Sequence, residues 1–163
     1  MALTGSNDSV SMGAGSNLTV SGFTDAIRGT TGDRITIKAG TGETLSGSGF
    51  TVHGGSGAGF TIVGTGDVVY AGLNDAITDG GSSTKFKIGS NVGHLSISGF
   101  GTDRTGIINL LNGVGGYATA SQAFSALTSD HSGGSMLSLG TDGSIDFVNV
   151  APSSLHASNF KIG

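Results

Sequence analysis

The sequence predicts an all-β chain wound as a β-solenoid (a β-roll or β-helix), with one short helix in its C-terminal part. Three observations carry this expectation. A short unit recurs over the first two-thirds of the chain: a Gly-flanked turn, an Asp or Asn, then a brief run centred on a β-branched residue. It reads Asn7-Asp8-Ser9-Val10, Thr24-Asp25-Ala26-Ile27, Gly32-Asp33-Arg34-Ile35, Gly66-Asp67-Val68-Val69 and Asn74-Asp75-Ala76-Ile77. The shortest step between units is eight residues, from Asp25 to Asp33 and from Asp67 to Asp75. A unit of about eight to ten residues suits one strand plus one turn and is too short for a pair of helices. The composition agrees, with 32 Gly among 163 residues, a single Pro and only 11% charged residues. Disordered chains carry more charge and fewer β-branched residues, whereas Gly turns joined to Thr/Val/Ile strands match what is seen. Finally, apolar residues alternate with Thr, Ser or Lys in most runs, so each strand has one inward and one wet face.

In chain order the strand-like runs are Val10–Met12, Leu18–Val20, Arg34–Ile37, Phe50–Val52, Phe60–Val63, Val68–Tyr70, Phe86–Ile88 and Leu95–Ile97. Clusters such as Gly54-Gly55-Ser56-Gly57 and Gly80-Gly81-Ser82-Ser83 separate them as turns. Two strands per coil need about 18 to 20 residues, giving roughly five coils spaced about 4.8 Å apart. Such a unit cannot bury its apolar side alone and must stack on its neighbours. Residues 1–99 therefore form the repeat region, and 100–163 form its last coils or a cap. In that second part Ile107–Leu111 is a denser apolar run. Ala120, Ala123, Phe124 and Leu127 then fall at helical spacing within Thr119–Leu127. Strands resume at Met136–Leu139, Ile145–Val148 and Asn159–Ile162.

The segment Gly64-Thr65-Gly66-Asp67-Val68-Val69, followed by Tyr70-Ala71-Gly72 and Asn74-Asp75-Ala76-Ile77, resembles the RTX repeats of bacterial type I secreted proteins. Those repeats run G-G-x-G-x-D-x-U-x and form a calcium-loaded parallel β-roll. Ser144–Phe160 is similar to the tail of such proteins, where an uncleaved export signal sits. The resemblance implies one-step export from a Gram-negative cell. It also implies one degenerate calcium site drawn from Asp67, Asp75 and Asp79 with Asn74. Leu73 stands where the second Gly of the nonapeptide belongs, and Gly64–Asp67 is one residue short. The simpler reading of the same residues is as turn caps, since Asp and Asn side chains bond their own backbone.

Other chemistry finds little support. A net charge of −4 disfavours nucleic acid as a partner. No apolar run reaches the length of a membrane span, and Met1–Ser6 has neither a basic nor an apolar stretch of a signal peptide. His53, His94, His131 and His156 lack ligand spacing, and Ser129-Asp130-His131-Ser132 has no nucleophile elbow. Gly113–Gly116 lacks the Lys of a phosphate loop. No catalytic set emerges, so a non-enzymatic role is expected.

The strand pattern begins at Asn7 with no amphipathic helix ahead of it, which leaves Val10 and Leu18 to form an assembly surface. Low charge density removes the usual barrier to edge pairing. The expectation is an exported structural protein stacking head-to-tail on itself into extracellular filaments, a biofilm matrix or a surface layer. A calcium-responsive adhesin is the alternative, and a cell-surface glycan is the alternative partner.

Overall fold

The computed structural model describes residues 1–38, 40–100 and 105–163. The chain is a β-solenoid of about six turns with one short helix. Each coil lays one strand in each of two parallel sheets. The first sheet holds, in spatial order, β1 (Ala2–Leu3), β3 (Asn17–Val20), β5 (Arg34–Ile37), β7 (Thr51–Gly54), β9 (Val68–Tyr70), β11 (Lys85–Ile88), β13 (Ile107–Leu110) and β17 (Phe160–Ile162). The second sheet runs β2 (Ser9–Ser11), β4 (Ala26–Arg28), β6 (Thr41–Ser48), β8 (Gly59–Thr65), β10 (Ala76–Asp79), β12 (Gly93–Ser98) and β16 (Gly143–Val148). It ends in two antiparallel strands, β15 (Ser135–Ser138) and β14 (Thr128–Ser129).

The register is a ruler of 17 residues. Leu18, Ile35, Val52, Val69 and Phe86 stand directly above one another in the first sheet, and hydrogen bonds between adjacent coils repeatedly join residues 17 apart. The coil is thus shorter than the 18 to 20 residues expected from sequence, and one more coil fits. Strand β6 is the main element that the sequence hides. Its Gly42 and Gly47 read as turns, yet it is the joint longest run of pairing in the second sheet with β8, with one register shift between Thr41 and Glu43. Later coils lengthen, with bonded neighbours 20 and 22 apart. The step then jumps to 50 between β12 and β16. The insertion that makes this jump contains β13, the helix and the β14–β15 hairpin.

Inward side chains fill the space between the sheets. In the early coils these are mainly Leu, Val and Ile residues, joined by Phe50 and Phe60. Towards the C-terminus Phe86, Phe100, Phe147 and Phe160 form a chain of ring contacts at 5.8, 5.6 and 6.3 Å. Edge-to-face and tilted geometries of this kind are the favoured ones for aromatic pairs. Helix α1 (Ala120–Ser125) lies against β17. Thr119 caps it by accepting the Gln122 N–H at 3.2 Å, while the Gln122 Oε1 accepts the Ala118 N–H at 2.8 Å. These two bonds satisfy donors that a helix start leaves orphaned. The helix is shorter than the span Thr119–Leu127 expected from apolar spacing, because Ala126 closes it.

The corners explain the recurring dipeptide. Asn7, Thr24, Asn74, Gly32 and Gly66 all take left-handed backbone angles, with φ of 61, 59, 57, 83 and 71°. The following residue is an Asp each time, and past Asp8 its side chain is buried. Asp33 is the clearest case. Its Oδ2 accepts the Thr30 N–H at 2.7 Å within its own turn, and its Oδ1 accepts the Ser16 N–H at 2.8 Å from the coil before. Asp75 does the same for Gly72 and Ala58 at 2.7 and 3.0 Å. A turn buried between coils has N–H groups that water cannot reach, so one carboxylate serves two of them. Glycine columns complete the corner. A Cβ at Gly22 would collide with the Gly5 carbonyl, and one at Gly64 with the Gly47 carbonyl, so the turns stack only without side chains.

Replacing Asp33 with Ala leaves the Ser16 and Thr30 N–H groups without an acceptor and is expected to cost roughly 2–4 kcal/mol. Asp33→Asn keeps one of the two acceptors and should lose about half as much. Urea unfolding midpoints of the two variants check this order.

Candidate functional site

The residues expected to hold calcium fall on two different corners. Asp67 opens β9 at one corner, where its Oδ1 accepts the Phe50 N–H at 3.2 Å. Asp79, at the end of β10, reaches the same corner one coil later, and its Oδ1 accepts from Gly81 N and Thr84 Oγ1 at 3.2 and 3.0 Å. Asp75 and Asn74 occupy the other corner, across strand β9. Asp75 is committed to the two backbone donors already described, and Asn74 Oδ1 accepts the His94 N–H at 2.8 Å. The fold therefore brings Asp67 to Asp79 and keeps Asp75 with Asn74. Among the described residues no three His, Asp or Glu converge on one point.

These buried acids are electrostatically unlike one another. Burial pushes Asp67 up to about 6, and the nearby Asp79 carboxylate adds to the rise against the Phe50 and Gly49 N–H groups. Burial likewise raises Asp75 to about 6 despite its bonds from Gly72 and Ala58. Glu43 is raised by burial and by the Asp25 carboxylate on its own corner column. Asp33 moves the other way. Burial opposes its charge, but donors from Thr30 and Ser16 outweigh that and hold it below the ordinary carboxylate value. The Asp67 Oδ2 and both Glu43 carboxylate oxygens are buried with no hydrogen-bond partner. Asp130, noted in sequence beside His131, closes the β14–β15 hairpin instead. It accepts from Ser132 N, Gly134 N and Ser132 Oγ at 2.8, 2.8 and 2.7 Å.

The two expected assembly residues differ in position. Val10 lies on β2, the first strand of the second sheet, and is half-buried against the core. Leu18 is on β3, one strand in from the edge, and is fully buried. The ladder pattern shows what the edge offers. The Ala26 N–H donates to Asp8 O and the Met12 N–H to Arg28 O, at 2.8 and 2.9 Å. Alternate residues of a parallel strand face one neighbour, so the N–H and C=O groups of Ser9 and Ser11 point away from β4.

The outer faces of the two sheets are chemically opposite. On the second sheet one column reads Ser9, Ala26, Thr44, Thr61, Thr78 and Ser98, all small and uncharged. On the first sheet the column is Thr19, Thr36, His53, Tyr70, Lys87, Asn109 and Lys161. The His53 and Tyr70 rings stack at 4.4 Å and 6°. Lys87 Nζ donates to the Tyr70 hydroxyl at 3.0 Å and sits 4.9 Å from its ring centre. Burial, and then the Arg34 charge, hold His53 below the ordinary imidazole value. Sequence reading missed this column. Its signal was the 17-residue spacing of positions 36, 53, 70 and 87, which becomes visible only once the coil length is known.

Asp67 and Asp75 have folded values near 6 against 3.8 for an ordinary Asp. The folded state then binds more protons than the unfolded chain between these values, and stability falls as pH rises from about 4 to above 6. Urea midpoints are expected to be higher at pH 4.5 than at 7.5. Asp67→Asn keeps an acceptor for Phe50 and removes one titration, so the slope should flatten.

No protein-family model matches the chain, nor does any curated protein or solved structure.

Proposed function

We propose that the protein is an exported structural unit that stacks on copies of itself, edge to edge along the solenoid axis, into extracellular filaments or a surface layer. The observation that carries this reading is the backbone of the first coil. Among the described residues β1 has β3 as its ladder neighbour and β2 has β4, so each presents a row of N–H and C=O groups on its other side. At the far end of the first sheet β17 has β13 as its neighbour. Strand β1 of one copy set beside β17 of another continues a parallel ladder that already runs through eight strands, once helix α1 and the β14–β15 hairpin at that end give way. The contact is heterologous and does not close on itself, which produces fibres rather than rings. Few charges stand on the outer face of the second sheet to oppose lateral pairing of such fibres.

Electron microscopy of purified protein, with calcium or with a chelator, tests the reading. Rods a few nanometres wide that lengthen with protein concentration are expected. Ser9→Pro and Ser11→Pro remove outward donors from β2 without touching its bonds to β4, and they should shorten the rods while leaving the urea midpoint nearly unchanged. A chain that stays monomeric at high concentration under both conditions overturns the proposal.

A further inference from the structure

The outer face of the first sheet combines features that none of the preceding roles uses. It carries Arg34, Lys85, Lys87 and Lys161, four of the seven Lys and Arg residues of a net acidic chain. No Asp or Glu among the described residues lies at an outward position of this sheet, because the acids of its flanking corners are turned inward. Among the described side chains of this sheet no carboxylate is placed to neutralise its cations. Over β11, β13 and β17 the face is hollowed into a groove of about 440 Å³ lined by Lys85, Lys87, Ile107, Asn109, Phe160 and Lys161. That volume lies within the range of small-molecule sites. The Lys87 ammonium is fixed in place by Tyr70.

We propose that this groove and the basic column beyond it bind an acidic polysaccharide. The charges choose an anion, since three lysines line one hollow and a fourth cation, Arg34, extends the same face. Ile107, half-buried in the lining, gives an apolar patch for the C–H face of a pyranose ring. Single-stranded nucleic acid fits less well. It binds by stacking bases on open aromatic faces, and Tyr70 has His53 against one face and the Lys87 ammonium over its ring. A polymer lying across the coils meets the cations in sequence, because successive strands are spaced about 4.8 Å apart along the axis. The lysines hold carboxylate or sulfate groups, and pre-positioning of Lys87 lowers the ordering cost of binding.

The test uses the intact chain and three immobilised polymers: polygalacturonate, neutral dextran and single-stranded DNA. Retention on polygalacturonate that weakens with salt, with none on dextran and less on DNA, is the expected result. The triple variant K85Q/K87Q/K161Q should weaken polygalacturonate binding at least about tenfold. Arg28→Gln, on the opposite sheet, should leave it as it was. Absence of binding at low salt, DNA bound as tightly as polygalacturonate, or equal losses from Arg28→Gln and the lysine variant each overturn the proposal. Rod formation is a separate measurement, so either idea can fail without the other.

Discussion

Everything in this molecule depends on how its corners satisfy their own backbone. A solenoid turns the chain sharply twice per coil, and each turn is sandwiched between the turns above and below. Amide groups there cannot reach water, and a buried donor without an acceptor costs as much as a good hydrogen bond contributes. The left-handed residue followed by an inward Asp resolves this at Asp33 and Asp75 by giving one carboxylate to two donors, one of them in the previous coil. Once that bond runs from coil to coil, the step between coils is fixed at 17 residues. The parallel register, the stacked core and the separation into inner and outer faces then follow.

This solution arranges charge in an unusual way. Acids are drawn to the interior corners, where burial raises several of them and backbone donors hold Asp33 down. Bases remain outside and gather on one sheet. A chain whose net charge is negative thus shows a cationic face, because its negative charge lies largely where solvent cannot meet it. Net charge read from sequence described the sum correctly and the exterior of this sheet wrongly.

Much of the fold was legible because alternation survives in short strands. Arg34–Ile37 and Val68–Tyr70 read as strands in sequence and are strands of those bounds. The Asn-Asp and Gly-Asp pairs marked the corners correctly. What stayed hidden has physical causes. Strand β6 carries glycines where it passes the Gly29 carbonyl, so its composition imitates a turn. Doubling the repeat unit to a coil of about 18 to 20 residues overshoots the true coil of 17, and at that length the His53, Tyr70 and Lys87 column does not align. The calcium candidates were grouped by closeness along the chain. A strand that spans the width of the coil separates Asp67 from Asp75, while Asp79 returns to Asp67 only after a further strand.

One corner column has an additional property. Reading up the stack it runs Ser16, Asp33, Phe50, Asp67 and Thr84, so carboxylates occur at every second level and never on adjacent ones. Excising the coil that contributes Phe50 would set Asp33 directly beneath Asp67 and press two buried like charges together. Excising the coil that contributes Asp33 or Asp67 would leave a single acid in the column. The repeats are therefore not interchangeable, and the coil of Phe50 is the spacer that holds two buried carboxylates apart.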